Sequence, residues 1–390
     1  MVNQSFKRQV LTLSNIDRKK YKIALDARPL STPVSGVGRL IESVLKGFDQ
    51  DPDFEFYLFS HKPIHEGYSD LFKNPNIKPV IGQGLFSKKG GIYFAFYLPF
   101  QLRKYEIDLF WGTQQVFPLF LSKNIPGVLT YHDFVAYRFP ETMRPIARFQ
   151  QLFYLRRSIQ RADYILANSE FTRSEILKYS SFPKDKIGII YPGYSPQEIR
   201  KIKTPPTKRI GKLPKKFFLT VSTLEPRKNF GTLLKAYRNA KKEGSDLVWV
   251  HAGKEGWESP ELLSKFKHSS AAGELYWFDF VNEEELKYLY SQASLFVFPS
   301  IYEGFGIPLL EALAYSLPCI VSDLEVFREI GKRSCVYISP ESEEDWKNAI
   351  LDFQKKKFKF PKPDLKRFER LKSAALVKKI FRDLVSYKRT

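Results

Sequence analysis

Cysteine is almost absent: Cys319 and Cys335 are the only two in 390 residues. Two cannot build a disulfide framework, and nothing beside either has metal-ligand spacing. Both fit as small buried side chains of a reducing compartment. Long apolar runs are missing as well, none approaching the ~20 residues a membrane-crossing helix needs. The opening MVNQSFKRQVLTLSNIDRKK lacks the apolar core and small-residue cleavage site of a signal peptide. Residues 1–20 are expected to be a loosely held basic leader on a cytoplasmic protein. No repeat or low-complexity tract is visible. Acidic residues fall short of basic ones, 42 against 63, for a formal net charge of +21. That imbalance calls for a partner of opposite sign or for a role in solubility. Nucleic acid, anionic lipid and phosphorylated substrates all qualify.

What is present is apolar material for two cores: 43% hydrophobic and 15% aromatic residues in a chain too long for one ordinary domain. Short apolar runs alternate with amphipathic stretches, the pattern of α/β folds with helix-covered parallel sheets. The first half carries strand candidates at Tyr21–Asp26, Phe54–Phe59, Ile107–Trp111, Val128–Tyr131, Asp163–Ala167 and Ile187–Tyr191. The second carries them at Phe217–Ser222, Leu247–His251, Leu275–Phe278, Leu295–Phe298, Cys319–Val321 and Val336–Ile338. Prolines 196, 205, 206 and 214, set among lysines and arginines, mark 196–216 as a linker between domains at 21–195 and 217–360. A last helical stretch, Asp364–Tyr387 within 361–390, is placed to cross back onto the first domain.

The most informative segment is Pro299–Asp323, PSIYEGFGIPLLEALAYSLPCIVSD. A buried strand runs into a glycine-containing loop and then a helix, with Pro308 where a first helical turn tolerates it. Backbone N–H groups near Gly304, Phe305, Gly306 and Ile307 would form an anion seat at the positive end of that helix. Glu303 lies just before the seat and Glu311 roughly 5–7 Å along the helix axis beyond it, an offset suited to a diphosphate and its ribose. A carboxylate accepts two hydroxyl hydrogen bonds readily, which suits Glu311 to a ribose and Glu303 to a hexose. Two glutamates alone would read as surface residues; with strand, glycines and Pro308 in place, the site reading prevails. TLEPRKN, Thr223–Asn229, follows another strand and opens another helix. Arg227 offers a planar fork to phosphate and Lys228 a compact charge, both at a strand's carboxyl end. A solvated basic turn is the plain alternative for that pair.

Together these segments resemble the retaining glycosyltransferases of family 4, over about Lys22 to Ile350. The resemblance implies two Rossmann-like domains facing across a cleft in the GT-B arrangement. It implies that Glu303 contacts the donor sugar, Glu311 the ribose, and Arg227 with Lys228 the diphosphate. Phe305 and Gly306 would hold diphosphate and sugar through their backbones, and Phe280 with Val281 would border the nucleobase. Many members carry arginine where Ser222 stands and glycine where Ser316 stands. The family also sets the loop ARPLSTPVSGVGR against diphosphate and acceptor, which brings in Gly36, Gly38 and Arg39. His132, in GVLTYHDF, matches the family's strand-end histidine; alone, such a histidine is more often structural. Asp133 reads as catalytic group or turn residue, and Ser169 or Thr172 as a helix cap, with Glu175 completing a capping box from Thr172.

Cations and helix-end N–H groups aimed at the departing diphosphate would supply the main catalytic resource, so neither metal nor other cofactor is expected. The one Asp-x-Asp, at Asp51 and Asp53, reads as a turn. Expected partners are a nucleotide-diphosphate sugar, with GDP-mannose favoured because TLEPRKN resembles the mannosyl-transferring branch, and a glycan or lipid-linked acceptor. UDP-glucose and UDP-N-acetylglucosamine stay open as donors. The stretch Thr142–Arg161 mixes arginines with aromatics and reads either as a core-facing helix or as one lying on an anionic inner membrane face. The rival classes are a nucleic-acid binder, for which no recognition motif is present, and a catalytically silent sugar-nucleotide binder.

Overall fold

The computed structural model describes residues 20–33, 35–49, 51–84, 88–139, 145–199 and 201–389. The basic leader lies outside them except Lys20, whose ammonium bonds Asn76 at 2.7 Å. Among the described residues thirteen strands form two sheets. The first holds β1 (Tyr21–Asp26), β2 (Phe54–Ser60), β3 (Ile77–Ile81), β4 (Leu109–Gly112), β5 (Gly127–Tyr131), β6 (Tyr164–Ala167) and β7 (Ile187–Ile189), in the order 3-2-1-4-5-6-7. The second holds β8 (Phe217–Val221), β9 (Val248–Ala252), β10 (Leu275–Phe278), β11 (Leu295–Phe298), β12 (Cys319–Ser322) and β13 (Cys335–Ile338), in the order 10-9-8-11-12-13. Every pairing is parallel. Central strands such as β5 and β11 are buried at every position, because helices cover both faces; hence their unbroken apolar runs. This is the doubly wound α/β architecture expected of the chain.

Strand β3 escapes the sequence pattern. Its IKPVI carries Pro79 and two exposed residues, which a sheet accepts only at an edge, and β3 is the edge. The C-terminal helix begins at Arg370, later than Asp364, and runs to Arg389. It lies on the first domain, with Phe381 against Trp111 at 5.9 Å and Phe48 at 6.2 Å. Asp51 and Asp53 hold it there: Asp51 meets Lys378 at 3.0 Å and Asp53 meets Arg382 at 2.8 Å. The Asp53 carbonyl also receives the Tyr21 amide at 2.7 Å, so this pair sits at the amino end of the sheet. The chain therefore crosses between domains twice, and the crossings pair where Tyr194 exchanges backbone bonds with Phe368 and Arg370 at 3.1 Å each.

Candidate active site

Both sheets turn their carboxyl ends toward each other, which is where open α/β sheets place ligand sites. In the second domain β11 ends in a loop, and the helix Ile307–Ala314 starts with Pro308 in its first turn. Gly306 caps it at φ +109°, a backbone few L side chains adopt. At the heart of this loop the Glu303 carboxylate is 7% exposed. It accepts Arg227 Nη1 at 2.8 Å, Ser300 Oγ at 2.9 Å and the Lys228 ammonium. The loop after β8 that carries those cations docks directly: the Arg227 carbonyl takes the Ile301 amide at 2.8 Å. Burial pushes the Glu303 carboxyl up, yet Lys228 and Arg227 outweigh it and hold it at about 2.

A second buried carboxylate completes the group. Glu225 pairs with Arg227 Nη2 at 2.6 Å and lies 3.9 Å from Lys228. Its pKa is raised by burial, which Arg227 and Lys228 only partly offset and Glu303 reinforces. Two cations and two carboxylates thus form a compact, charge-balanced quartet. Within the same domain Glu311 accepts Tyr290 Oη at 2.8 Å.

The first domain interlocks with this loop. A Cβ on Gly304 would overlap the His132 carbonyl, so only glycine permits that approach. The Gly304 carbonyl accepts Ser169 Oγ at 2.6 Å and Thr172 Oγ1 at 3.1 Å. Tyr302 Oη receives the Phe134 amide at 2.7 Å and donates to Glu175 at 2.6 Å, while Arg138 holds the other oxygen of Glu175 at 2.7 Å. Glu175 is therefore a buried cross-domain anchor and closes no capping box; Ser169 alone caps its helix, accepting the Thr172 amide at 2.9 Å. Asp133 accepts the Val135 amide at 3.2 Å as a turn residue.

His132 lies between these contacts, its Nε2 2.6 Å from the Thr113 carbonyl. A carbonyl only accepts, so Nε2 carries the proton and Nδ1 the lone pair of the neutral ring. Burial lowers its pKa, opposed by the Thr113 carbonyl and Asp133, which keeps the ring neutral near pH 7. Beside Thr113, Gln114 reaches Asp26 at 3.0 Å, and Asp26 grips Arg28 twice at 2.8 Å.

The remaining expected residues separate. Gly36 opens the helix Gly36–Lys46 at the cleft, with room for a Cβ only 3.3 Å from Ile307. Gly38 turns inward against Tyr68, and its amide is spent on the Ser35 cap at 3.2 Å, so that N–H is not free for a phosphate. Arg39 crosses the cleft to pair with Glu311. Phe280 is 48% exposed, with Lys254 over its ring at 5.9 Å, while Val281 packs on the domain core. Both lie past the end of β10.

Two sequence profiles divide the chain: one described as Glycosyltransferase Family 4 matches residues 34–198, and one described as Glycosyl transferases group 1 matches 205–375. The chain belongs to glycosyltransferase family 4. The O-antigen chain mannosyltransferase B of Escherichia coli is 27% identical over 79% of this glycosyltransferase and 84% of that protein. The O-antigen chain mannosyltransferase RfbU of Salmonella typhimurium is 28% identical over 62% and 64%. In architecture the enzyme is similar to Anabaena HepE in complex with UDP and glucose, with a TM-score of 0.67 at 16% identity over 93% of this chain and 99% of that one. Sucrose-phosphate synthase from Thermosynechococcus elongatus gives a TM-score of 0.65 at 16% identity over 94% and 97%. Both share the GT-B fold.

Glu225, Tyr302 and the Asp26–Arg28 pair are the glycosyltransferase residues that sequence reasoning missed, and Glu175 enters it only as part of a cap. Glu225 stands within TLEPRKN and carried one signal: a carboxylate directly before two cations. Ser316 adopts φ +59°. Glycine takes such a left-handed backbone freely, and the serine is strained there.

Proposed function

We propose that this glycosyltransferase is a retaining, metal-independent hexosyltransferase that moves mannose from GDP-mannose onto a lipid-linked or polymeric glycan of a cell-surface polysaccharide or lipopolysaccharide. The observation that carries the reading is the Glu303 carboxylate clasped by Arg227 and Lys228 beside the Ile307 helix mouth, interlocked with the His132 loop. The two relatives named as O-antigen mannosyltransferases support mannose as the sugar. HepE, solved with UDP-glucose, supports a nucleotide-diphosphate donor and makes UDP-glucose the second one to test.

In the proposed reaction the bond from the anomeric carbon to the β-phosphate oxygen breaks and its electron pair leaves with the diphosphate. Arg227, Lys228 and the helix-mouth amides stabilise that growing negative charge. Ionised Glu303 binds sugar hydroxyls and favours positive charge developing on the ring. The acceptor hydroxyl attacks from the face the diphosphate leaves, and its proton passes to the departing phosphate. Neutral His132 accepts a hydroxyl hydrogen bond at Nδ1 and orients a reactant. Metal independence is supported by the engagement of Asp51 and Asp53 with the C-terminal helix.

Calorimetry against a panel of nucleotide sugars, followed by turnover with and without a chelator, tests the reading. Binding of GDP-mannose above the others, turnover indifferent to chelator and an axial product linkage seen by NMR are expected. No binding of any nucleotide sugar, or turnover abolished by chelation, refutes it.

A further inference from the structure

Ten large hydrophobic side chains are exposed among the described residues, and six of them stand on three neighbouring elements of the first domain. Ile92, Phe96 and Phe100 recur every four residues along the helical run 90–104 and share a face. Phe120, on the loop between β4 and β5, brings its ring to 5.7 Å from Phe96. Arg157, on the helix Pro145–Arg161, donates to the neighbouring Leu119 carbonyl at 2.7 Å. That bond ties in Phe149 and Phe153, which line one groove with Arg157. Phe149 is 73% and Phe100 66% exposed, too open to be fringes of the core. Isolated exposed apolar residues are ordinary, but a cluster of this kind marks a contact surface.

Charge says what the surface contacts. Residues 88–105, 109–132 and 142–162 contain no aspartate or glutamate at all. The exposed cations Lys88, Lys89, Arg103, Lys104 and Arg156 stand on the same elements. Phenyl and aliphatic groups fringed by cations that make no ion pair among the described residues match a surface that is apolar within and anionic at its face. A nucleic acid would suit the cations and the rings but leaves Ile92 nothing to stack on. No helix among the described residues is long and apolar enough to cross a membrane, so contact on one face is the mode this geometry allows.

We propose that this face docks the enzyme on an anionic phospholipid surface, rings among the acyl-chain ends and cations at the phosphates. The face adjoins the cleft. Phe94, in the same helical run, stacks on the Arg28 guanidinium at 3.7 Å. Arg28 holds Asp26, Asp26 takes Gln114, and the preceding residue Thr113 holds His132. A lipid-anchored acceptor would thus reach the cleft without leaving the bilayer; this step alone rests on the glycosyltransferase reading.

The test sediments the full chain with phosphatidylcholine vesicles and with vesicles that also contain phosphatidylglycerol. Retention on the anionic vesicles only, weakening as salt rises, is expected. The variant R103Q/K104Q/R156Q should partition roughly a hundredfold more weakly, the product of about fivefold per basic side chain. The variant F96S/F120S/F153S should be released at moderate salt, and both should keep wild-type turnover on a water-soluble acceptor. Equal sedimentation with both vesicle types, retention of the serine variant at the wild-type level, or salt-dependent binding to single-stranded DNA without vesicle binding overturns the proposal. Vesicle binding that passes these tests in a protein lacking all turnover supports the docking surface and defeats the enzymatic reading separately.

Discussion

Glu303→Gln isolates the charge of the quartet from its shape. Glutamine keeps the side-chain length and can still accept from Ser300, but it leaves Arg227 and Lys228 ion-paired with Glu225 alone among the described residues, with Asp133 acting on Arg227 from farther off. In the wild type the carboxyl sits at about 2 in place of its ordinary 4.5, which corresponds to roughly 3 kcal/mol of folded-state stabilisation. The sign follows from the direction of the shift. A lowered carboxylate pKa contributes stability that is complete above the unfolded-state value and is lost as pH falls toward the folded one. The stability gap between wild type and variant should therefore be about 3 kcal/mol at pH 7, and narrow between about pH 5 and pH 2. Urea melts of both proteins across that range measure it. The same substitution makes the quartet one charge more positive, so GDP affinity should hold or rise while turnover falls by a hundredfold or more. A gap independent of pH, or GDP affinity that falls together with turnover, refutes the assignment of Glu303 as the ionised partner of both cations.

Glu311→Ala should weaken GDP binding by about tenfold, measured by calorimetry, with a smaller effect on turnover at saturating donor. Tyr302→Phe removes the hydroxyl that joins Glu175 to the Phe134 amide and should cost about 1–3 kcal/mol of stability. If Tyr302 positions the His132 loop against Glu303, kcat should drop in that variant while donor KM holds; equal changes in both would assign it to scaffold. Ser316→Gly relieves a left-handed serine and should stabilise the protein by about 0.5–1 kcal/mol in a thermal melt, with turnover unchanged.

The parts of this fold that were readable are those whose signals are local. Central strands such as β5 and β11 are buried on both faces and so appear as unbroken apolar runs. Pro308 and Gly306 announce the start of their helix because a missing N–H and a positive φ constrain residue choice. What was not readable depends on partners from distant segments. Glu175 fits a capping box by spacing, yet Tyr302 and Arg138 offer it two charge-assisted bonds where a lone amide offers one. Glu225 looks like a turn residue until Glu303 arrives beside the same cations. Strand β3 hides behind Pro79, which only its edge position excuses. Gly38 shows the limit of motif reasoning: the pattern is present, but Tyr68 and Ser35 account for its glycine and its amide.

The balanced charge of the quartet bears on catalysis. Arg227 and Lys228 are compensated by Glu225 and Glu303, so they exert little net pull on a distant diphosphate. Their desolvation is offset within the folded protein before any substrate arrives, and their positions are fixed by the carboxylates. Such an arrangement behaves as an oriented set of dipoles more than as a net charge. In the proposed donor complex, sugar and diphosphate would be nearly complementary to either end of it. In the proposed reaction, as the glycosyl bond lengthens, negative charge would move onto the diphosphate near the cations while positive charge would grow on the ring near Glu303. Both movements lower the energy of the same arrangement, and neither requires the protein to reorganise. On the proposed mechanism, binding energy would thereby be concentrated in the transition state. Replacing either carboxylate would strengthen ground-state attraction for the nucleotide while weakening that coupling, which is why affinity and turnover should part company in Glu303→Gln.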